Sequence, residues 1–152
     1  MHLWRISNYA DLHGVGGTKA AGRWHNRGAP IVYLAEHPAL ALLEVIVHFS
    51  CAAAQLPKNY QLLDIEYGAD TNLFTGIAQL APSALDDVWQ NNVELTRSIG
   101  DQWLQSGSSL LLKVPSAILP RSYNYLFNPK HSLAGQAKII DCLRYPFDQR
   151  FM

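Results

Sequence analysis

Three residues in this chain have a type and setting that could serve chemistry: Glu44, Arg23 and Ser116. Glu44 is the only ionisable residue between His37 and His48, within the segment PALALLEVIV. On a helix it falls four residues after Leu40 and three before Val47, on or beside the apolar stripe. A buried carboxylate costs several kcal/mol unless it is partnered. It therefore marks a structural salt bridge, a helix edge turned to water, or a site. Arg23 follows Gly22 in AGRWHNRGAP. There an arginine can offer a fixed fork to phosphate oxygens, or be an ordinary loop residue. Ser116 directly follows an apolar strand in VPSAILP. A serine in that place often bonds its own turn, and no G-x-S-x-G elbow surrounds it to make it an esterase-type nucleophile.

Other chemistries find little support. Gly14 to Lys19 is neither a Walker A sequence nor a GxGxxG turn after a strand. The six histidines include no HExxH and no close His/Cys pairing, so no metal site is expected. Net charge is zero, which leaves no basic excess to neutralise phosphates and argues against direct nucleic-acid binding. Without a basic groove or a carboxylate cluster, a nuclease is also disfavoured.

The elements that must carry these residues follow from periodicity. His2 to Ile6 is expected to be a strand, followed by a loop holding Gly14, Gly16, Gly17 and Gly22. Ile31 to Ala35 is apolar and β-branched, a buried strand. Pro38 suits the first turn of a helix reaching Phe49, with Leu42, Leu43, Ile46 and Val47 at helical spacing. Tyr60 to Tyr67 reads as a strand. Residues 68 to 92 are irregular, with one short helix around Leu85 to Trp89. A further helix starts at Asn92 or Val93, carries Leu95, Ile99 and Trp103 on one face, and is stopped by Gly107. Leu110 to Val114, Asn124 to Phe127 and Lys138 to Tyr145 complete the strands. With no regular βαβ alternation, an α+β domain is expected.

Length and composition agree with a single domain spanning residues 1–152, of which 49% are hydrophobic. A chain of this size buries roughly two thirds of its unfolded surface and needs no disulfide or metal to fold. Cys51 and Cys142 are expected to be reduced, structural thiols. Charged residues make up 16%, against about 25% in a typical domain; a surface covered by a partner and a large core both account for this. No secretory signal or membrane span is expected, and the predicted location is cytoplasmic.

Taken in order and spacing, GRWHNRGAPIVYLAEHPALALLEVIVH, VPSAILP and NYLFNPKH, with the opening LWRIS, resemble the RES-domain toxins, a family named for its Arg, Glu and Ser. The resemblance spans nearly the whole chain and is weakest from Gly68 to Asn92. It implies a compact α+β fold related to the ADP-ribosyltransferase and diphtheria-toxin fold. The implied activity is toxin action in a toxin–antitoxin pair, depleting NAD⁺ by cleaving its nicotinamide–ribose bond. NAD⁺ is then the substrate, and no separate cofactor is implied. By the same resemblance Arg23, Glu44 and Ser116 take the family positions, and Tyr33 matches the tyrosine of the strand before the helix. Asn124 and Asn128 fall in the matching segment as substrate-binding candidates without individual roles. The implied partner is an Xre-like helix-turn-helix antitoxin that makes the DNA contacts, with a toxin homodimer inside the complex. Two alternatives stand beside NAD⁺ degradation: an ADP-ribosyltransferase acting on one protein target, and an inactive interaction module.

Overall fold

A computed structural model describes residues 1–49, 59–68, 76–144 and 147–151. Its strands are β1 (His2–Ser7), β2 (Val32–Ala35), β3 (Gln61–Tyr67), β4 (Ile77–Gln79), β5 (Leu111–Pro115), β6 (Tyr123–Phe127) and β7 (Ala137–Arg144). They form one 7-stranded sheet in the order β4-β5-β6-β2-β1-β3-β7. Only the β4–β5 pair is parallel; the other ladders are antiparallel. The helices are α1 (Val15–Lys19), α2 (Pro38–Phe49) and α3 (Val93–Ser106). The expected α+β class is the class observed.

β2 lies at the centre because it can be buried on both faces, the usual fate of a continuous apolar run. Val32 and Leu34 join Leu3, Ile65, Leu111, Tyr125 and Phe127 on one face. Tyr33 and Ala35 point the other way, as strand alternation requires. On that second face Tyr33 packs with Trp24, Trp89, Trp103, Leu112, Val114 and Leu126. Ala35 there meets Ile6 and the α2 residues Leu40 and Ala41. Both long helices thus cover the same side of the sheet, α2 against β1 and β2, and α3 through Trp103.

α2 is rotated from the expected orientation. Leu40 and Ala41 are buried, whereas Leu43 and Val47 are 37% and 48% exposed. The helix is apolar almost all round, so its periodicity carries little information about rotation. Instead, Glu44 shares the inward stripe with Leu40 and Ala41, and its carboxylate fixes the angle. α3 is rotated slightly as well: Thr96, Gly100 and Trp103 are its buried residues, while Leu95 and Ile99 are half-buried. The cause is a close approach. A Cβ on Gly100 would overlap the Trp24 carbonyl, so glycine is the residue that lets the helix seat there. Asn92 caps the helix by accepting from the Leu95 N–H at 3.1 Å. Gly107 ends it in the left-handed conformation, as expected.

Three expectations need correction. The glycine-rich loop contains the short α1, because Gly14 adopts a left-handed φ of 70° and its carbonyl accepts from Gly17 and Ile31. Leu85 to Trp89 forms no α-helix; 3₁₀ turns occupy Pro82–Ala84 and Trp89–Asn91, and β4 is a strand too short to leave a sequence signal. Cys142 is a free thiol, as expected, but it stands exposed on edge strand β7 instead of serving the packing. Cys51 and Tyr145 lie outside the described residues. Among the described residues, no helix is long and apolar enough to cross a membrane.

Gly100→Ala is therefore expected to destabilise the protein by about 1–3 kcal/mol through overpacking, although alanine is the better helix former. Denaturant midpoints measure this, and a rise in stability would contradict the close contact.

Candidate functional site

α2 delivers Glu44 to the end of the sheet where β5 finishes and β6 begins. Its Oε1 accepts from Ser116 Oγ at 3.0 Å and from Asn124 Nδ2 at 2.6 Å. Asn124 lies on β6 opposite Ala35 of β2 and Val114 of β5. Ser116, just past β5 and 5% exposed, is fixed from several sides. Its N–H donates to the Ser122 carbonyl at 2.8 Å. Its Oγ accepts from the backbone N–H groups of Ile118 and Leu119, each at 3.2 Å. Those two donors occupy the hydroxyl lone pairs, so the single hydroxyl proton goes to Glu44.

Among the described residues Glu44 is consequently held through one oxygen. Among the described residues Oε2 has no hydrogen-bond partner, and no lysine, arginine or histidine pairs with the carboxylate. Among the described residues no salt bridge accounts for it. The arrangement is an oriented anion with one oxygen left for something else, on a half-buried helix face.

Tyr33 shares the sheet face of Asn124, one pleat along. Residues two apart on a strand are separated by roughly 7 Å. The Tyr33 hydroxyl accepts from the Trp24 N–H at 3.1 Å and lies 2.8 Å from His25 Nδ1. His25 is 2% exposed, and its Nε2 faces the Gly17 carbonyl at 3.2 Å. A carbonyl can only accept, so hydrogen-bond accounting assigns the proton to Nε2. Nδ1 then accepts from the Tyr33 hydroxyl and from the Gly22 N–H at 3.2 Å. A Cβ at Gly22 would fall on the Tyr33 hydroxyl, which explains the glycine. The phenol end of Tyr33 is thus fully engaged. Burial pushes the Tyr33 phenol well above the usual tyrosine range, against a smaller opposing pull from the Trp24 N–H.

Arg23 continues the same loop. Its Nη1 donates to the Gln90 carbonyl at 2.8 Å, and its own carbonyl accepts from Thr96 Oγ1 at 2.6 Å. No carboxylate pairs with it among the described residues.

The structure therefore brings Glu44, Ser116 and Asn124 into direct contact, with Tyr33 and Arg23 on the adjoining loop and strand. Asn128 is not part of this group. It sits past the opposite end of β6, where its Oδ1 accepts from the Lys130 N–H at 3.0 Å and its N–H donates to Leu110. That is the local bonding of a turn asparagine. Sequence reasoning missed His25 and Arg97. His25 stands two residues after Arg23, yet nothing in its type tells a loop histidine from the pin of that loop. Arg97 donates through Nε to the Gly22 carbonyl at 2.9 Å, a link between chain segments with no local signature. Among the described residues, no group of three His, Cys, Asp or Glu could hold a metal ion.

The Tyr33 phenol should stay protonated where free tyrosines ionise, so Tyr33→Phe is expected to leave the absorbance rise between about pH 9 and 11 unchanged. Because the folded-state value is raised, its contribution to stability is complete below about pH 10 and declines above it. An absorbance rise diminished by one tyrosine in the variant would contradict this burial.

Comparison with known proteins places the geometry in a lineage. The family model described as "RES domain" matches residues 2–148. A protein of Pseudomonas putida named "Toxin Res" is 48% identical over 139 residues, covering 91% of this chain and 92% of its own length. A Sphingobium protein named "Prs ADP-ribosylating toxin" is 35% identical, with 99% and 96% covered. A chain in the crystal structure of the Mycobacterium tuberculosis MbcT–MbcA toxin–antitoxin complex has the same fold, with a TM-score of 0.73 and 19% identity, over 95% of this chain and 83% of that one. With its model matched over nearly the full length and the Glu44–Ser116 contact in place, the chain belongs to the RES-domain family.

Proposed function

We propose that this protein is the toxin of a toxin–antitoxin pair and that it consumes NAD⁺ by breaking the bond between nicotinamide and ribose. The observation that carries the reading is the Glu44 carboxylate, oriented by Ser116 and Asn124 through one oxygen and without a cationic partner among the described residues. As the C1′–N bond breaks, its electron pair stays on the nicotinamide nitrogen, which becomes neutral, and positive charge develops on the ribose ring as in glycoside cleavage. A fixed carboxylate in a partly dry setting stabilises that charge. Water or phosphate then bonds to C1′ and loses a proton. The leaving group departs neutral, so no strong general acid is needed. The Tyr33 ring offers a stacking surface for nicotinamide, and Arg23 a donor fork for the diphosphate. Ser116, its proton given to Glu44, acts as a positioning residue, and Asn124 does the same from β6.

The antitoxin reading rests on the relatives' names and on the complex in which the structural neighbour was solved. A neutral chain suits an arrangement in which an Xre-like partner supplies the DNA contacts and the pair resides in the cytoplasm. A second reading, transfer of ADP-ribose to a protein, is favoured by the Sphingobium relative's name. The two share their first step and differ in the acceptor. NAD⁺ labelled in the adenosine half distinguishes them: label in small products means hydrolysis or phosphorolysis, label in protein means transfer.

Purified chain incubated with NAD⁺ is expected to release nicotinamide, and Glu44→Gln to lower the rate by about a hundredfold or more. Ser116→Ala should lower it by roughly tenfold, the scale of one hydrogen bond to a charged group. Undiminished release by Glu44→Gln would overturn the reading.

A further inference from the structure

His25 links the turn that carries Arg23 to the Tyr33 side chain, yet it has no part in the proposed cleavage. It is 2% exposed and closes that turn: the Gly22 N–H donates to the His25 carbonyl at 3.1 Å, and the two residues bridge as antiparallel backbone. Arg23 and Trp24 therefore occupy the tip. The Tyr33 hydroxyl reaches both parts of the turn, accepting from the Trp24 N–H at the tip and meeting the imidazole at the base. The two rings lie 5.7 Å apart between centroids and are tilted by 50°, so polar atoms rather than ring faces make the contact.

The two imidazole nitrogens carry unequal burdens. Nε2 donates to the Gly17 carbonyl, but that carbonyl also accepts from the Gly28 N–H at 3.2 Å. Without the imidazole it keeps a partner. Nδ1 is in the opposite position. The Tyr33 oxygen already accepts from Trp24, and among the described residues Nδ1 is the acceptor for the hydroxyl proton. Losing that acceptor leaves an interior hydroxyl donor unmade, which is more costly than the bond itself is worth. The seat is also closely built. A Cβ on Gly17 would come within 3.1 Å of Nε2, and one on Gly22 within 3.0 Å of Nδ1. A ring held this way takes one orientation and one neutral tautomer, with its proton on Nε2.

We infer that His25 is a positioning residue for NAD⁺ cleavage, its Nδ1 lone pair holding the Tyr33 phenol against the turn that carries Arg23. This rests on the NAD⁺ reading above and deepens it, since one buried acceptor fixes the proposed stacking ring to the loop of the proposed phosphate fork. Buried as it is, His25 meets no substrate and acts through Tyr33.

Two amide variants of the purified full chain separate the nitrogens. In His25→Asn the side-chain oxygen falls at the Nδ1 position, and the contact with Gly17 is lost. In His25→Gln the amide nitrogen reaches the Nε2 position, and the acceptor for Tyr33 is lost. Nicotinamide release is measured well below the unfolding midpoint of each variant, where reduced stability alone leaves kcat/KM at the wild-type value. His25→Gln is expected to lower kcat/KM for NAD⁺ by about tenfold, the scale of one buried donor left unpaired. His25→Asn should lower it by less than about threefold. On a Tyr33→Phe background, which lacks the hydroxyl, the two variants should become equal. Equal rates in His25→Asn and His25→Gln, or a gap that persists with Tyr33→Phe, would overturn the role. If His25→Gln does not fold, nitrogen NMR shifts of the wild-type imidazole take its place. A proton on Nδ1 then overturns the role, and a proton on Nε2 together with near-wild-type release by His25→Asn upholds it. Absence of release by the folded wild type overturns the NAD⁺ reading and this role with it, whereas release that is indifferent to the two variants overturns this role alone.

Discussion

A single carboxylate on an otherwise apolar helix constrains much of this structure. Glu44 cannot turn inward without partners, and the partners it finds are neutral: the Ser116 hydroxyl and the Asn124 amide. Neutral donors orient a carboxylate without cancelling its charge, as a cation would. The requirement reaches outward. β5 must end where Ser116 can leave the strand, β6 must present Asn124 in register with Ala35, and α2 must rotate so that Leu43 and Val47 face solvent. A helix free to follow its hydrophobicity alone has no reason to choose that angle.

The second organising feature is the Gly22 to His25 loop, pinned at almost every polar atom. His25 joins the loop to α1 through Gly17 and to β2 through Tyr33; Thr96 and Arg97 join it to α3. The loop has lost its freedom before any ligand arrives, and preorganised donors cost little to use at the moment of binding. It also explains why small residues occur where they do. Gly22 and Gly100 are two of the points at which backbone meets a neighbour too closely for a side chain.

Much of this was legible in the residues. The strands rich in β-branched and apolar side chains, the Pro38 start of α2 and the Gly107 stop of α3 carry local signals that packing did not override. Glu44 stood out because an isolated charge in an apolar run is costly, and Ser116 because it follows a strand end. The remainder depends on contacts between distant segments. β4 has three residues and is defined by its neighbour β5 rather than by its own pattern. The rotations of α2 and α3 are set by Asn124 and Trp24, neither of which is local. Asn124 and Asn128 look alike in NYLFNP, yet they sit at opposite ends of one strand, and only the register of β6 separates a partner of Glu44 from a turn residue.

The central claim is that Ser116 serves the reaction through Glu44. A double-mutant cycle on nicotinamide release from NAD⁺, comparing wild type, Ser116→Ala, Glu44→Gln and the combined variant, tests it most directly. The account predicts strong non-additivity, with Ser116→Ala slowing the wild type and having almost no further effect once Glu44 is glutamine. Additive losses would mean that Ser116 meets the substrate independently, and absence of release by the folded wild type would contradict the account as a whole.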